Sequence, residues 1–158
     1  MRSSGGSFWR LTGGSEGASA VEFAIVLNIF FIMLLGMVEF GLAFSTRQVI
    51  VNASREGARY GIAYRADAQG NRILPVQLNP SIQNWILESS EGLGLKYMLP
   101  ADANPTVTVT GAGAFTGIAG TTLNVTVSCN HSFWVINRLV PGLGDHLQLS
   151  ATTAMRVE

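Results

Sequence analysis

The chain has 158 residues, of which 47% are hydrophobic and 13% are charged, and its formal net charge is +0. This combination excludes an intrinsically disordered chain, which has few apolar residues and much charge. The balanced charge also excludes the basic footprint of a nucleic-acid-binding domain. Cys129 is the single cysteine, which excludes an internal disulfide framework and a thiolate-rich zinc site.

The first predicted element is a long apolar helix. Residues 23–38 carry no charge, and the extended segment 20–44 carries two carboxylates, Glu22 and Glu39. The extended segment reaches roughly 37 Å as a helix, whereas a bilayer core is about 30 Å thick. A helix buried in a protein core is the alternative, but the rest of the chain has too little apolar patterning to surround it. The run is also longer than the core of a secretory signal, so we predict a membrane span.

The sequence around this span resembles a known family. Residues 17–23, GASAVEF, are similar to the processing site of type IV pilin-like proteins. The stretch EFAIVLNIFFIMLLGMVEFGLAF at 22–44 and NASREGARYG at 52–61 resemble the TadE-like minor pilins or pseudopilins of tight-adherence (Tad) pilus systems. The ending LSATTAMRVE at 149–158 also resembles that family, and residues 66–120 are unmatched.

The resemblance implies a processing event, a location and a set of partners. A prepilin peptidase would cut between Gly17 and Ala18, which makes residues 1–17 a cytoplasmic leader. Residues 18–65 would form the transmembrane and neck helix, and residues 66–158 a periplasmic or extracellular domain. The protein would be a single-pass component of the bacterial inner membrane that enters an extracellular pilus and supports surface adherence. Its implied partners are the peptidase, other pilins or pseudopilins, the inner-membrane assembly platform and the lipid bilayer.

The two acids that bracket the span need a physical reason, because a carboxylate in a bilayer costs about 2.5–3.5 kcal/mol. After cleavage the Ala18 amine and Glu22 would be one helical turn apart, and Glu22, followed by Phe23, would lie near the positive end of the helix dipole. It would also be able to meet the amine of a neighbouring subunit; the alternative is an acid that only faces headgroups. Glu39 lies roughly 25 Å further along the helix and is either a solvated acid or a partner-binding one.

The helix is predicted to continue as a neck to about Tyr64. Ala53, Gly57 and Gly61 recur every four residues and form a small-residue stripe, which allows another backbone to approach closely. The alternative is that the glycines only weaken the helix, by about 0.5–1 kcal/mol each. The other residues of the proposed packing motif are Arg55, Glu56, Ala58 and Arg59.

The distribution of arginine conflicts with the topology that the family implies. Arg2 and Arg10 precede the span, and four arginines follow it within residues 47–65. The positive-inside rule would therefore place the C-terminal side in the cytoplasm. We give the resemblance more weight, because it implies processing at the inner face.

The C-terminal part is predicted to be α+β. Asn79 and Pro80 are a suitable start for a helix over 80–91, in which Ile82, Trp85, Ile86 and Ser89 form a short amphipathic stripe. Alternating residues predict strands over Thr106–Thr110, Thr121–Cys129 and Leu147–Glu158, which is typical of an antiparallel sheet with one wet face. The four glycines between 111 and 120 predict a flexible connection. The apolar loop between the last two strands contains Phe133, Trp134, Ile136, Leu139, Val140 and Leu143, and either folds over the sheet edge or forms a partner surface.

An enzymatic function has little support in the sequence. Cys129 and His131 are the only nucleophile–base candidate, but Cys129 is in register with apolar strand residues and is better interpreted as an inert buried thiol. His146 beside Asp145 is too small a cluster for zinc, so we predict no cofactor, metal or catalytic residue. Two alternative functions remain: an uncleaved membrane-anchored periplasmic binding or assembly-platform protein, and a membrane enzyme that uses Cys129.

Overall fold

The computed structural model describes residues 14–88, 92–139 and 146–157. The chain divides into two compact units, Met1–Val38 and Glu39–Glu158. One long helix, α1 (Gly14–Ile62), begins in the first unit and ends in the second. Residues 1–13 of the predicted leader, which include Arg2 and Arg10, lie outside the described residues.

Helix α1 contains 49 residues and confirms the predicted long N-terminal helix. Its sequence contains no proline, so no residue removes a backbone donor from its interior. Arg59 lies in the last turn, where a cation interacts favourably with the C-terminal end of the helix dipole. The helix ends at Ile62, two residues before the predicted end, which is within the usual fraying of a helix terminus.

The second unit contains a three-stranded antiparallel sheet in the order β1-β2-β3, so the α+β class is confirmed. Its strands are β1 (Thr106–Thr110), β2 (Thr122–Ser132) and β3 (His146–Arg156). Strand β2 runs three residues further than predicted, because its last residues pair with the start of β3, where Ser132 lies opposite His146.

One face of the sheet forms the core of the second unit. Alternate residues of β2 are buried, in agreement with the predicted period of two. Helix α1 and α2 (Ile82–Leu87) cover this face. The core contains Ile50, Ala53, Ala58, Leu78, Ile82, Ile86, Leu95, Leu99, Ala103, Val107, Ala114, Leu123, Val125, Val127, Cys129 and Val157.

The start of α2 differs from the prediction. Ser81 is the N-cap, and its side chain accepts a hydrogen bond from the Asn84 backbone N–H, whereas Asn79 and Pro80 were expected at the first positions. A serine hydroxyl three residues before a free N–H satisfies one orphan donor of the first turn. The helix ends at Leu87, and Ser89 lies outside the described residues.

The glycine-rich connection also differs from the prediction, because it contains a short helix, α4 (Ala112–Thr116). Gly111 and Gly117 flank α4 with φ angles of 96° and 60°, a region that favours glycine. Gly111 therefore caps the start of α4 and Gly117 caps its end, where a flexible connection was predicted. The remaining short helices are a 3-10 turn at Pro75–Gln77, α3 (Leu95–Met98) and α5 (Ile136–Leu139).

Candidate functional site

The residues of the predicted processing motif lie in the first turns of α1. Gly17, Ala18, Glu22 and Phe23 are all exposed. A Cβ atom added at Gly17 would meet nothing within 4 Å in the described part of the chain beyond its own stretch of helix. Glu22 lies four residues after Ala18 on α1, so a cut after Gly17 would place it about one helical turn from the new N-terminus.

Large apolar side chains cover the surface of α1 in the predicted span. Each retains between 37% and 71% of its surface. Such a continuous apolar surface far exceeds the patches that monomeric soluble proteins expose. Within the described residues, α1 is the one helix long and apolar enough to cross a membrane, by length and composition. The exposed residues are Val21, Phe23, Ile25, Val26, Leu27, Ile29, Phe30, Phe31, Ile32, Met33, Leu34, Leu35, Met37, Val38, Phe40, Leu42 and Phe44.

Asn28 is the one strongly polar residue within the uncharged run. Its side-chain amide donates a hydrogen bond to the Ala24 carbonyl oxygen at 3.0 Å. One of its two donors is thereby satisfied inside the helix itself, which reduces the cost of placing this amide in an apolar environment. Asn28 is therefore compatible with a lipid-facing helix.

Glu39 is bonded to the connection between β2 and β3. It is 8% exposed, and its Oε1 accepts hydrogen bonds from the Trp134 and Val135 backbone N–H groups, both at 2.6 Å. Its Oε2 accepts a third bond, from the Ile136 N–H at 2.9 Å. The sequence left a solvated acid and a partner-binding acid as the alternatives for Glu39. The structure instead gives it partners in its own chain.

The bonds of Glu39 have a clear physical basis. The N–H groups at the start of a helical turn have no intrahelical acceptor, and the three donors lead into α5. A carboxylate that accepts several backbone N–H bonds makes charge-assisted hydrogen bonds, which are stronger than neutral ones. The ring of Phe40 also lies 6.1 Å from the ring of Phe133. Glu39 thus ties the β2–β3 connection to α1.

The small-residue stripe of α1 lies against the core of the second unit. A Cβ atom at Gly57 would overlap the Ile86 side chain. At Gly61 it would lie 2.6 Å from Leu123 Cδ2 and 2.7 Å from Ile82 Cδ1. Two alanines, at positions 53 and 58, are also buried on this helix. The absence of side chains therefore lets α1 approach both the sheet and α2 closely.

The charged residues of the proposed packing motif lie on the other side of this part of α1. Arg55, Glu56 and Arg59 are all exposed. The second unit therefore leaves this polar surface of the helix uncovered, and the surface is accessible to another molecule.

The end of α1 is held by an aromatic cluster. The Tyr60 hydroxyl donates to the Pro80 carbonyl oxygen at 2.8 Å, and its ring stacks on Trp85 at a centroid distance of 4.7 Å. The Arg65 guanidinium lies 4.1 Å from the centroid of the Tyr60 ring, a cation–π arrangement. This cluster fixes α1 to α2 beside the two glycines.

Cys129 and His131 occupy the buried face of β2. Burial raises the pKa of the Cys129 thiol, and a thiol reacts as the thiolate, so this cysteine is a poor nucleophile. The His131 Nδ1 lies 3.5 Å from Thr46 Oγ1, and its ring is 5.3 Å from Phe133 in an edge-to-face arrangement. Cys129 is therefore part of the core, and His131 is buried against Thr46 and Phe133.

A second polar cluster contains the residue types of a hydrolase triad but connects them differently. The Ser132 hydroxyl donates to Asp102 Oδ2 at 2.5 Å, and His146 Nδ1 lies 3.0 Å from the same hydroxyl oxygen. In a triad the imidazole takes the serine proton and the carboxylate orients the imidazole. Here the carboxylate binds the serine.

Asp145, which was considered as a metal ligand beside His146, lies outside the described residues. Within the described ranges, no group of three or more His, Cys, Asp and Glu is placed to hold a metal ion.

Comparison with known proteins finds a family for the N-terminal part of the chain, which contains the processing motif and the apolar run. Residues 17–59 match the family model of TadE-like proteins. We call residues 17–59 the TadE-like segment. It begins at Gly17 and ends at Arg59 and so includes the apolar run, Glu39 and most of the small-residue stripe. No curated protein and no solved structure shows a significant match to the chain.

The TadE-like segment confirms the family resemblance and supports a function related to the Tad pilus, in a family with structural roles. It is also compatible with a single-pass membrane anchor. The resemblance at residues 149–158 lies outside the matched segment and stays a prediction.

The sequence singles out Glu39 but does not indicate its burial, and it singles out neither of the other two buried polar residues of α1. Glu39, Thr46 and Ser54 are all less than 9% exposed, and Ser54 Oγ lies 2.8 Å from Thr153 Oγ1. A signal was present, because the buried positions 39, 43, 46, 50, 53 and 57 alternate in steps of four and three residues, which is the spacing of one helix face. Because Glu39 and Thr46 in this set are polar, the helical period of buried positions cannot be recognised from the apolar residues alone.

Proposed function

We propose that this protein is a minor pilin or pseudopilin of a Tad-type system, needed for pilus assembly and surface adherence. The observation that carries the proposal is the TadE-like segment, which begins at the glycine of the predicted processing motif. The exposed apolar surface of α1 supports it. Such a surface needs a cover, and a bilayer before assembly and neighbouring helices afterwards provide one.

The proposal includes removal of the leader. The prepilin peptidase cuts between Gly17 and Ala18, so that α1 gains a new amine at Ala18. A narrow peptidase site accepts glycine more readily than a residue with a Cβ. Gly17 and Ala18 are exposed, which supports access by the peptidase.

Glu22 has the role of an assembly residue in this proposal. Its carboxylate is exposed on α1, and among apolar helices it is costly unless a cation meets it. The Ala18 amine of a neighbouring subunit is the proposed cation. Pairing of the two draws the subunit out of the bilayer and sets its position next to its neighbour.

The C-terminal unit lies in the periplasm in the proposed topology, with the leader in the cytoplasm and α1 anchored in the inner membrane. The assembly platform and other pilins or pseudopilins are the partners. The arginine count argues for the reverse orientation, so protease access to the C-terminal unit in spheroplasts is a direct check. Digestion from outside supports the proposal, and protection contradicts it.

Two cellular measurements test the function as a whole. We expect the protein in the membrane fraction and in sheared surface fibres, and we expect deletion of its gene to abolish or reduce pili and adherence. Freely soluble protein, or normal piliation after the deletion, would refute the proposal. Uncleaved protein that remains in the membrane and never enters fibres would favour the alternative of an anchored binding or platform protein.

A further inference from the structure

We propose that residues 133–136, which we call the Trp134 turn, form a second contact with the lipid bilayer, with the Trp134 indole in the headgroup region. The inference rests on the membrane anchorage in the proposed function and goes beyond it, because it assigns a lipid contact to the C-terminal unit itself.

Trp134 is the most exposed large apolar side chain in the described part of the chain, with 82% of its surface accessible. It is not on a loose loop. Its backbone N–H is bonded to Glu39 at 2.6 Å, and its neighbour Phe133 is buried with its ring against Phe40. The chain therefore holds an indole in solvent by fixing the backbone on both sides of it.

The hydrogen bond to Glu39 fixes the position of the Trp134 turn along the axis of α1, beside residue 39. Glu39 directly follows Val38, the last residue of the uncharged run. Glu22 and Glu39 bracket the hydrocarbon, so the boundary is expected at the end of that run, and residues 40–44 of the extended segment would lie in the interface. The turn therefore meets α1 where a spanning helix would leave the hydrocarbon.

The residues of α1 next to Glu39 have the composition of a membrane interface. Phe40 and Phe44 are 62% and 63% exposed, and they line a shallow groove together with Arg47 and Leu149. Phe40 and Phe44 lie roughly 3 Å and 9 Å beyond Val38, the end of the run. The headgroup region is roughly 5–8 Å deep on each side, so Phe40 falls within it and Phe44 near its outer edge. Aromatic rings followed by an arginine match the order of an interfacial belt and the phosphates beyond it.

The chemistry of tryptophan favours lipid as the occupant. Its ring is apolar and its N–H is a donor, so it is most stable where one part of its surroundings is apolar and the other is wet. A bilayer whose boundary lies at Glu39 offers both to Trp134. A neighbouring subunit is the other possible occupant, and the experiment below separates the two.

The experiment uses the full chain in phosphatidylcholine–phosphatidylglycerol vesicles with Trp134 as the single tryptophan, in the W9F/W85F variant. Lipids brominated near the headgroup end or near the middle of the acyl chain quench tryptophan at the corresponding depth. We expect stronger quenching of Trp134 by the shallow bromines than by the deep ones. The matched control moves the tryptophan to Tyr97, which is 71% exposed on α3. Quenching of Trp134 should exceed that of the Y97W control by about twofold or more.

A third variant separates this inference from membrane anchorage. In W9F/W85F/W134F/F31W the tryptophan lies in the middle of the uncharged run, and deep bromines should quench it if α1 is in the bilayer. Quenching of F31W without quenching of Trp134 overturns the inference alone. Failure of both overturns the anchorage as well.

Aqueous iodide gives the last comparison. If iodide quenches Trp134 as strongly as the Y97W tryptophan, the indole is in water and does not contact lipid. If Trp134 is shielded from iodide but is also insensitive to the brominated lipids, another part of the protein or a neighbouring subunit covers it. The substitution W134F, made in a W9F chain that retains Trp85, provides a second measurement. It should remove the part of the emission that shallow bromines quench, without any change at Trp85.

Discussion

Glu39 is an acid whose role is determined by the backbone around it. Three N–H groups reach its two oxygens at 2.6–2.9 Å, and in return the carboxylate loses most of its contact with solvent. A buried carboxylate is costly without partners and stable with them. The acid that follows the apolar run therefore fastens the β2–β3 connection to the helix.

We predict that Glu39→Ala destabilises the second unit by about 2–4 kcal/mol, because it leaves three partly buried donors without an acceptor. Chemical unfolding of the full chain in detergent measures this loss, and hydrogen exchange should accelerate at the Trp134, Val135 and Ile136 amides. Glu39→Gln keeps one acceptor oxygen and should lose about half as much.

The matched control for Glu39 is Glu56→Ala, which removes an exposed acid from the same helix. Its effect should stay within about 0.5 kcal/mol. Equal effects of the two substitutions, or unchanged exchange at the three amides, would show that the Glu39 bonds do not stabilise the fold.

Glu22 differs from Glu39, because it is exposed. We predict that Glu22→Ala gives a protein that is cleaved and stays in the membrane, with pilus formation lost or strongly reduced. The reason is the neighbour's amine, which would remain unpaired among helices at a cost of several kcal/mol. Immunoblots of membrane and sheared-fibre fractions measure both steps. Assembly at the natural level would make Glu22 an ordinary interfacial acid.

Asp102 makes stability depend on pH. The Ser132 hydroxyl, as the largest cause, holds the pKa of Asp102 below its ordinary value, with smaller contributions from its own backbone N–H, His146 and His131. A carboxylate whose pKa is lowered by folding stabilises the protein above its unfolded pKa of about 4, and this contribution is lost as pH falls through the folded pKa.

We therefore predict that the natural chain unfolds at a higher temperature than Asp102→Asn at about pH 6, and that the difference shrinks towards about pH 3. The Asn71 backbone N–H lowers the pKa of Asp67 in the same direction, but Asp67 is present in both proteins and cancels. A difference that is constant with pH would contradict this role of Asp102.

Helix α1 carries two kinds of surface after residue 39. One face contains the small and buried positions that pack on the sheet and α2, and the other carries exposed arginines. Gly57 and Gly61 allow the close approach on the packed face. They cost helix propensity, about 0.5–1 kcal/mol each, and the packing they permit offsets that cost.

We predict that Gly61→Val destabilises the second unit by about 1–3 kcal/mol more than Gly41→Val does. Both substitutions introduce the same β-branched side chain into α1, but only the first meets Leu123 and Ile82; a Cβ at Gly41 meets nothing within 4 Å. Unfolding of the full chain in detergent measures the difference. Equal stabilities would mean that the stripe tolerates bulk and has another purpose.

The sequence predicted the strands well and the connections poorly. Strands such as Thr106–Thr110 were predictable because one face is wet and the other buried, which imposes a period of two. Helix α4 was missed, because glycines were interpreted as flexibility although Gly111 and Gly117 terminate a helix. The bonds of Glu39 join residues about 95 positions apart, and no local pattern in the sequence indicates which donors it meets.

The long apolar helix was the most predictable part of the described molecule, and it is compatible with a membrane anchor. A bilayer imposes both a length and a composition on any helix that crosses it, so residues 20–44 could be recognised as a candidate span from the sequence alone. The partners of a subunit are a different matter. Their recognition depends on surfaces of other chains, and one sequence contains only its own half of each interface.

The mature N-terminus tests the central claim most directly, because the proposed cut, the new amine and the role of Glu22 all depend on it. Mass spectrometry of the protein from sheared fibres should find Ala18 as the first residue, and Gly17→Leu should block the cut. A Cβ at Gly17 meets nothing within 4 Å among the residues that the structure describes, so a block would reflect the peptidase and not the fold. Assembled protein that begins at Met1 or Arg2 would contradict the account.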